Sequence, residues 1–141
     1  MDPEPAILSE RAGAWIDYEY CLIRLVPRVH LAEGVNVGVV LHARAAAFLG
    51  LRIHLEPEAW AACFPGLDVE MAVRALEAWR AIAEGGASAG PIGLLPHGER
   101  FHWLSAPRSA VLQCSAVRGG RSLDPVATLD ALFAASVSPR S

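Results

Sequence analysis

The chain has 141 residues, 53% of them hydrophobic and 19% charged, with a formal net charge of −3. That balance describes an ordered globular protein with material for one core, and it excludes the disordered class. The negative sign also removes any chain-wide attraction to nucleic acid.

The apolar runs are broken by Arg, Glu or His well short of the roughly 20 residues that span a bilayer. The first residues, Met1-Asp2-Pro3-Glu4-Pro5, are acidic and lack the positive region of a signal peptide. The expectation is a soluble, cytoplasmic, single domain over residues 1–141, with residues 1–13 as a loose arm ending at Gly13. All 12 basic residues are Arg and none is Lys. Schiff-base, P-loop and protein-kinase lysine chemistry is therefore excluded. The wealth of Ala, Gly, Arg and Pro fits a GC-rich bacterial genome. Three widely spaced cysteines, Cys21, Cys63 and Cys114, read as reduced thiols, with Cys21 and Cys114 inside apolar strand-like runs.

In chain order, a first strand is predicted from about Ile16 to Val26. It sets Tyr18, Tyr20, Leu22 and Arg24 on one face and Cys21, Ile23 and Leu25 on the other. Pro27 ends it. A second strand, about Val35 to His42, carries Val35, Val37, Val39 and Leu41 on one face and Asn36, Gly38, Val40 and His42 on the other. A short turn at Ala43-Arg44-Ala45 leads to a third strand, about Ala46 to Leu55. Pro57 opens a short helix that Pro65-Gly66 stops. Asp68 caps a longer helix to about Ala83, with Val69, Ala72, Val73, Leu76 and Trp79 at helical spacing. Residues 87–98 read as a flexible loop. Phe101-His102-Trp103-Leu104 and Val111 to Val117 read as two further strands, and Gly119-Gly120 as a turn. Asp124 and Pro125 start a last helix. The expected fold is α+β: a mostly antiparallel sheet, an N-terminal three-strand meander plus two later strands, covered on one side by about three helices.

Chemistry concentrates in two places. Strand parity puts Arg24, Asn36, Gly38, Arg52 and His54 on one mixed face, with Gly38 leaving room above the sheet and Asn36 offering both a donor and an acceptor. Glu33 is the only carboxylate between Glu19 and Glu56. Nearby Arg24, Arg28 and Arg44 favour a structural ion pair for it over a general base. The second place is Pro107-Arg108-Ser109 with Gln113, where a guanidinium fork and a hydroxyl suit a phosphate or a carboxylate. Arg100, Arg108, Arg118 and Arg121 stand in a stretch free of Asp and Glu, a local excess able to attract a phosphate, a nucleic acid or an acidic partner, although pairing with carboxylates from elsewhere in the fold is the favoured expectation. Five histidines, His30, His42, His54, His97 and His102, form no metal-ligand spacing, so neither metal nor cofactor is expected. The geometrical expectation is that strand pairing brings the Glu33 hairpin and the Pro107-Arg108-Ser109 bend side by side.

Tyr18-Glu19-Tyr20, Arg24-Leu25-Val26-Pro27, Glu33, Asn36-Val37-Gly38-Val39, Phe101, Leu104, Pro107-Arg108-Ser109, Gln113, Asp124-Pro125 and Leu132-Phe133 together resemble a bacterial domain of unknown function, family 3037. The resemblance runs from about residue 17 to residue 137. It departs from the family pattern at Ala32, where an Arg or Glu is expected, and at Arg118, near which a His is expected. The resemblance implies Arg24, Glu33, Asn36, Gly38, Arg108, Ser109 and Gln113 as binding residues. It also implies genomic association with a kinase resembling the HipA toxin. The leading functional expectation is a non-enzymatic accessory protein that binds a protein partner or itself, through the sheet or the aromatic strand at Phe101. The alternative is a hydrolase or phosphoryl-transfer enzyme with Glu33 as acid/base and Arg24 and Arg108 gripping a phosphate.

Overall fold

Alternating apolar residues make a ten-residue strand, β1 (Ile16–Leu25), and its place in the sheet organises everything else. The computed structural model describes residues 14–26, 34–106 and 111–137. β1 pairs antiparallel with β2 (Val35–Ala43), which pairs antiparallel with β3 (Phe48–Ile53). On its other side β1 pairs antiparallel with β4 (Leu112–Cys114) and β5 (Arg118–Ser122). The register along this edge moves by one residue between the Ile23–Cys114 and Tyr20–Arg118 pairs. β4 and β5 thus act as one interrupted edge strand, and β1 lies in the middle of the sheet.

The four helices are α1 (Pro57–Cys63), α2 (Val69–Glu84), α3 (His97–Ser105) and α4 (Pro125–Ser136). The expected α+β class and antiparallel sheet are present, with one helix more than the sequence reading counted. Cys21, Ile23, Leu25, Val37, Val40, Leu49 and Leu51 form one sheet face and pack with Trp60, Leu76, Trp79, Phe101 and Leu104 of α1, α2 and α3. Val39, Leu41 and Ala43 form the other face and pack against Leu129 of α4. The sheet is therefore covered on both sides, not one. Each large apolar side chain buried here is worth about 1.5–3 kcal/mol.

α2 follows its predicted stripe, burying Ala72, Leu76, Trp79, Ile82 and Ala83. The Asp68 carboxylate accepts from the Met71 N–H at its N-terminus, and the Asp124 carboxylate accepts from the Ala127 N–H at the start of α4. Both satisfy donors that a helix leaves open.

Three local expectations give way. Phe101, Trp103 and Leu104 belong to helix α3, not to a strand: Phe101 and Leu104, three apart, turn into the core. Gly119 and Gly120 are not a turn but pair with Glu19 and Tyr18 inside β5. A side chain at Gly120 would lie 2.5 Å from the Tyr18 hydroxyl, so glycine lets the ring lie across the edge strand. Residues 87–94 form two 3-10 turns, Ala87–Ala89 and Pro91–Leu94, joined by a Gly86 N–H bond to the Gly93 carbonyl.

Candidate functional site

β1 and β2 slip register between Ile23 and Arg24: Ile23 faces Gly38, but Arg24 faces Asn36, leaving Val37 as an extra residue. This bulge reverses the parity of β2. Val35 and Val37 consequently share the core face with Val40, while Val39 and Leu41 turn to α4. Gly38 therefore points away from Arg24 and Asn36, not alongside them. A side chain there would meet the Arg52 carbonyl and the Ile53 Cγ2, each at 2.8 Å. Gly38 permits close strand packing and leaves no open floor.

The bulge brings a different trio together. Arg24 lies opposite Asn36 on one side and Gln113 on the other, a polar row across three strands. The Asn36 Nδ2 donates to the Ser136 carbonyl at 3.0 Å and ties β2 to the end of α4. Arg52, on the same face, pairs with Asp130 of α4 at 3.0 Å, and His54 approaches Glu56 at 3.5 Å. Glu33, Arg108 and Ser109 lie outside the described residues. Their flanks leave from one end of the sheet: Leu25 pairs with both Val35 and Leu112, and the Val26 N–H donates to the Val111 carbonyl at 2.6 Å.

The proposed arginine surface is divided. Arg100 is 7% exposed. Its Nη1 donates to the Ile82 and Ala83 carbonyls at 2.9 and 3.0 Å, and its Nε to the Leu95 carbonyl at 2.8 Å. It satisfies the open C-terminal carbonyls of α2, where the helix dipole also favours a cation. Gly85, at φ 85°, makes room: a side chain there would sit 2.5 Å from the Arg100 Nη1. Arg100 is thus unavailable to a phosphate or nucleic acid. Arg121 pairs with Asp17 at 3.4 Å, and Arg118 is exposed on the edge strand.

A broad concavity lies elsewhere among the described residues. An open cleft of about 1330 Å³ runs between the N-terminal half of β1, the turn after β2, and α3. Its floor holds His42, directly opposite Glu19 in the strand pair. His42 is 8% exposed, and its ring stacks on Phe101 with centroids 5.6 Å apart. Among the described residues the imidazole has no hydrogen-bond partner. Burial holds its pKa below the ordinary histidine value; Glu19 opposes that shift, and His97 and Arg44 add to it. His97 opens α3 and Arg44 opens the 3-10 turn Arg44–Ala46. Trp15, 57% exposed, and Val117, 46% exposed, stand among the lining residues. In the sequence these histidines stand out only as candidate metal ligands, at spacings that fit no metal site. A signal was present in Pro96 followed by Glu99 and the Phe101, Leu104 pair, which together mark a helix start.

Cys21 is buried, Cys114 half-buried and Cys63 exposed, all as free thiols. The hydrogen bond to Cys114, reinforced by burial, pushes the Cys21 thiol well up. The Cys114 thiol in turn donates to the Leu104 carbonyl at 3.2 Å, linking β4 to α3. Among the described residues no group of three or more His, Cys, Asp or Glu is arranged to hold a metal ion, and no helix is long and apolar enough to cross a membrane.

A protein family described as Protein of unknown function (DUF3037) matches the chain over residues 20–137. Comparison with curated proteins and with solved structures finds no match.

Proposed function

The chain belongs to the DUF3037 family, and on that premise we propose that it is an accessory protein that receives a segment of a partner polypeptide in the cleft beside α3. The observation that carries this reading is the cleft itself. At about 1330 Å³ and open to solvent, it exceeds the roughly 300–1,000 Å³ of enclosed small-molecule pockets. Its exposed Trp15 supplies the kind of aromatic anchor that interfaces favour. A kinase resembling the HipA toxin is the partner that the family resemblance suggests.

The test is site-specific photo-crosslinking. A photoreactive residue replaces exposed Trp15 or His102 in the cleft, or exposed Arg74 on the outer face of α2 as a control. The purified chain is then irradiated with the purified kinase. Crosslinks from the two cleft positions, with none from position 74, support the reading. Complex formation with crosslinks only from position 74, or crosslinks only between copies of this chain, overturns it.

A further inference from the structure

Two features meet at the α3 end of the cleft. The first is the start of α3, which has no side-chain cap. Pro96 holds the N-cap position, and the first intrahelical bond is from the Arg100 N–H to the Pro96 carbonyl at 3.0 Å. The N–H groups of His97, Gly98 and Glu99 are left open by helix geometry, and all three residues line the cleft. Such donors, with the positive end of the helix dipole, attract an anion. The second feature is His42, more than nine-tenths buried, without a hydrogen-bond partner among the described residues, and in the same lining. A methyl group built on Gly98 would lie 3.7 Å from the His42 Cε1, which puts the imidazole beside the helix start.

We propose that this end of the cleft is an oxyanion-binding site that takes an acidic or phosphorylated side chain of the partner segment. The open N–H groups of α3, the Arg44 guanidinium and a ring N–H of His42 are its donors. The inference rests on the cleft being the partner-binding surface. Arg44 lines the same cleft and has no ion-pair partner among the described residues. Gly98 presents no side chain, so an oxyanion can approach the backbone. Of the nearby carboxylates, Asp17 is occupied by Arg121. Glu99 lies in the first turn of α3, where its charge competes for the same dipole. Glu19 faces the His42 ring from β1, so any positive charge on that ring is shared between Glu19 and the bound anion.

The test is an amide-resolved NMR titration of the full chain with sodium phosphate, and separately with sodium acetate, against sodium chloride at matched ionic strength. The expected result is saturable movement of the His97, Gly98 and Glu99 amides. Phosphate alone indicates a phosphorylated side chain; acetate, with or without phosphate, indicates that a carboxylate suffices. Arg44→Ala is expected to weaken binding about tenfold, the loss of one charge-assisted contact. Gly98→Ala is the decisive variant. Alanine raises helix propensity, so the fold is retained, yet its methyl group narrows the space between α3 and His42. It is expected to weaken binding by a similar factor at unchanged or increased stability. Immobile amides at residues 97–99 with both anions, or equal affinity in wild type, Arg44→Ala and Gly98→Ala, overturn the inference. Cleft crosslinking can succeed while this titration fails, so the two readings fail separately.

Discussion

Replacing Arg100 with Met tests the account of how α2 and α3 are held together. The substitution keeps an unbranched apolar stem of similar reach and deletes the guanidinium. Three carbonyls, those of Ile82, Ala83 and Leu95, then lose their donors. A buried carbonyl left without a partner costs about 1–3 kcal/mol. The bonds to Ile82 and Ala83 are buried and the one to Leu95 is partly so, which puts most of the cost on two groups. Relief of the desolvated charge offsets part of it. The expected net loss is about 3–4 kcal/mol, a large share of the roughly 5–15 kcal/mol that stabilises a domain. Urea unfolding followed by tryptophan fluorescence reads it directly, since Trp79 lies on α2 and Trp103 on α3. Gly85→Ala attacks the same contact from the opposite side and is expected to cost about 2 kcal/mol or more, from its positive φ and the clash with Nη1. Combined with Arg100→Met it should cost less than the sum, because the clashing group is gone. A loss below about 1 kcal/mol for Arg100→Met, or strict additivity of the pair, refutes the reasoning.

Three further outcomes follow from the geometry. Gly38→Ala should destabilise by about 1–3 kcal/mol in denaturant unfolding, because its methyl group meets backbone at Arg52 and a packed Ile53. Asp124→Ala should cost about 1 kcal/mol in the same assay, with the amides of the first turn of α4 also losing hydrogen-exchange protection. Burial is the chief cause of a His42 pKa lower in the folded than in the unfolded chain, so a proton binds the ring more readily once the chain unfolds. Stability from this group is complete above the ordinary histidine pKa of about 6.5 and falls as pH drops below it, by at most about 1.4 kcal/mol per pH unit. Unfolding curves from about pH 7.5 to about pH 5.5 should show this slope in wild type and a shallower one in His42→Gln.

Much of the backbone was legible because local signals agreed with one another. The alternation in β1, the Asp68 and Asp124 caps, Pro57 and Pro125 at first helical positions, and the α2 stripe each name an element without outside help. The failures have distinct physical causes. Phe101-His102-Trp103-Leu104 has strand-favouring composition, which outweighs the helix-start signal of Pro96 and Glu99 when the segment is read alone. The paired glycines of β5 read as a turn because nothing local reveals the Tyr18 ring lying over Gly120. The bulge at Val37 is invisible in a run of valines, yet it moves Gly38 to the other face and lines up Arg24, Asn36 and Gln113. The cleft was illegible for a related reason. Glu19, His42, Arg44 and His97 are assembled by packing from four separate elements, and no spacing in the chain announces them.

The central position of β1 also imposes a timetable on synthesis. Among the described strands this one is made first, but the neighbour that seals its outer edge, β4 with β5, arrives roughly a hundred residues later, and α4 later still. Until then the nascent meander presents Val39 and Leu41 to water on one side and a row of unanswered amides along β1. The sheet face of Val39 and Leu41 is covered only once α4 has been made. A chain stopped short of residue 112 would carry a sticky half-sheet with an open β1 edge, a species prone to be bound by chaperones or to aggregate.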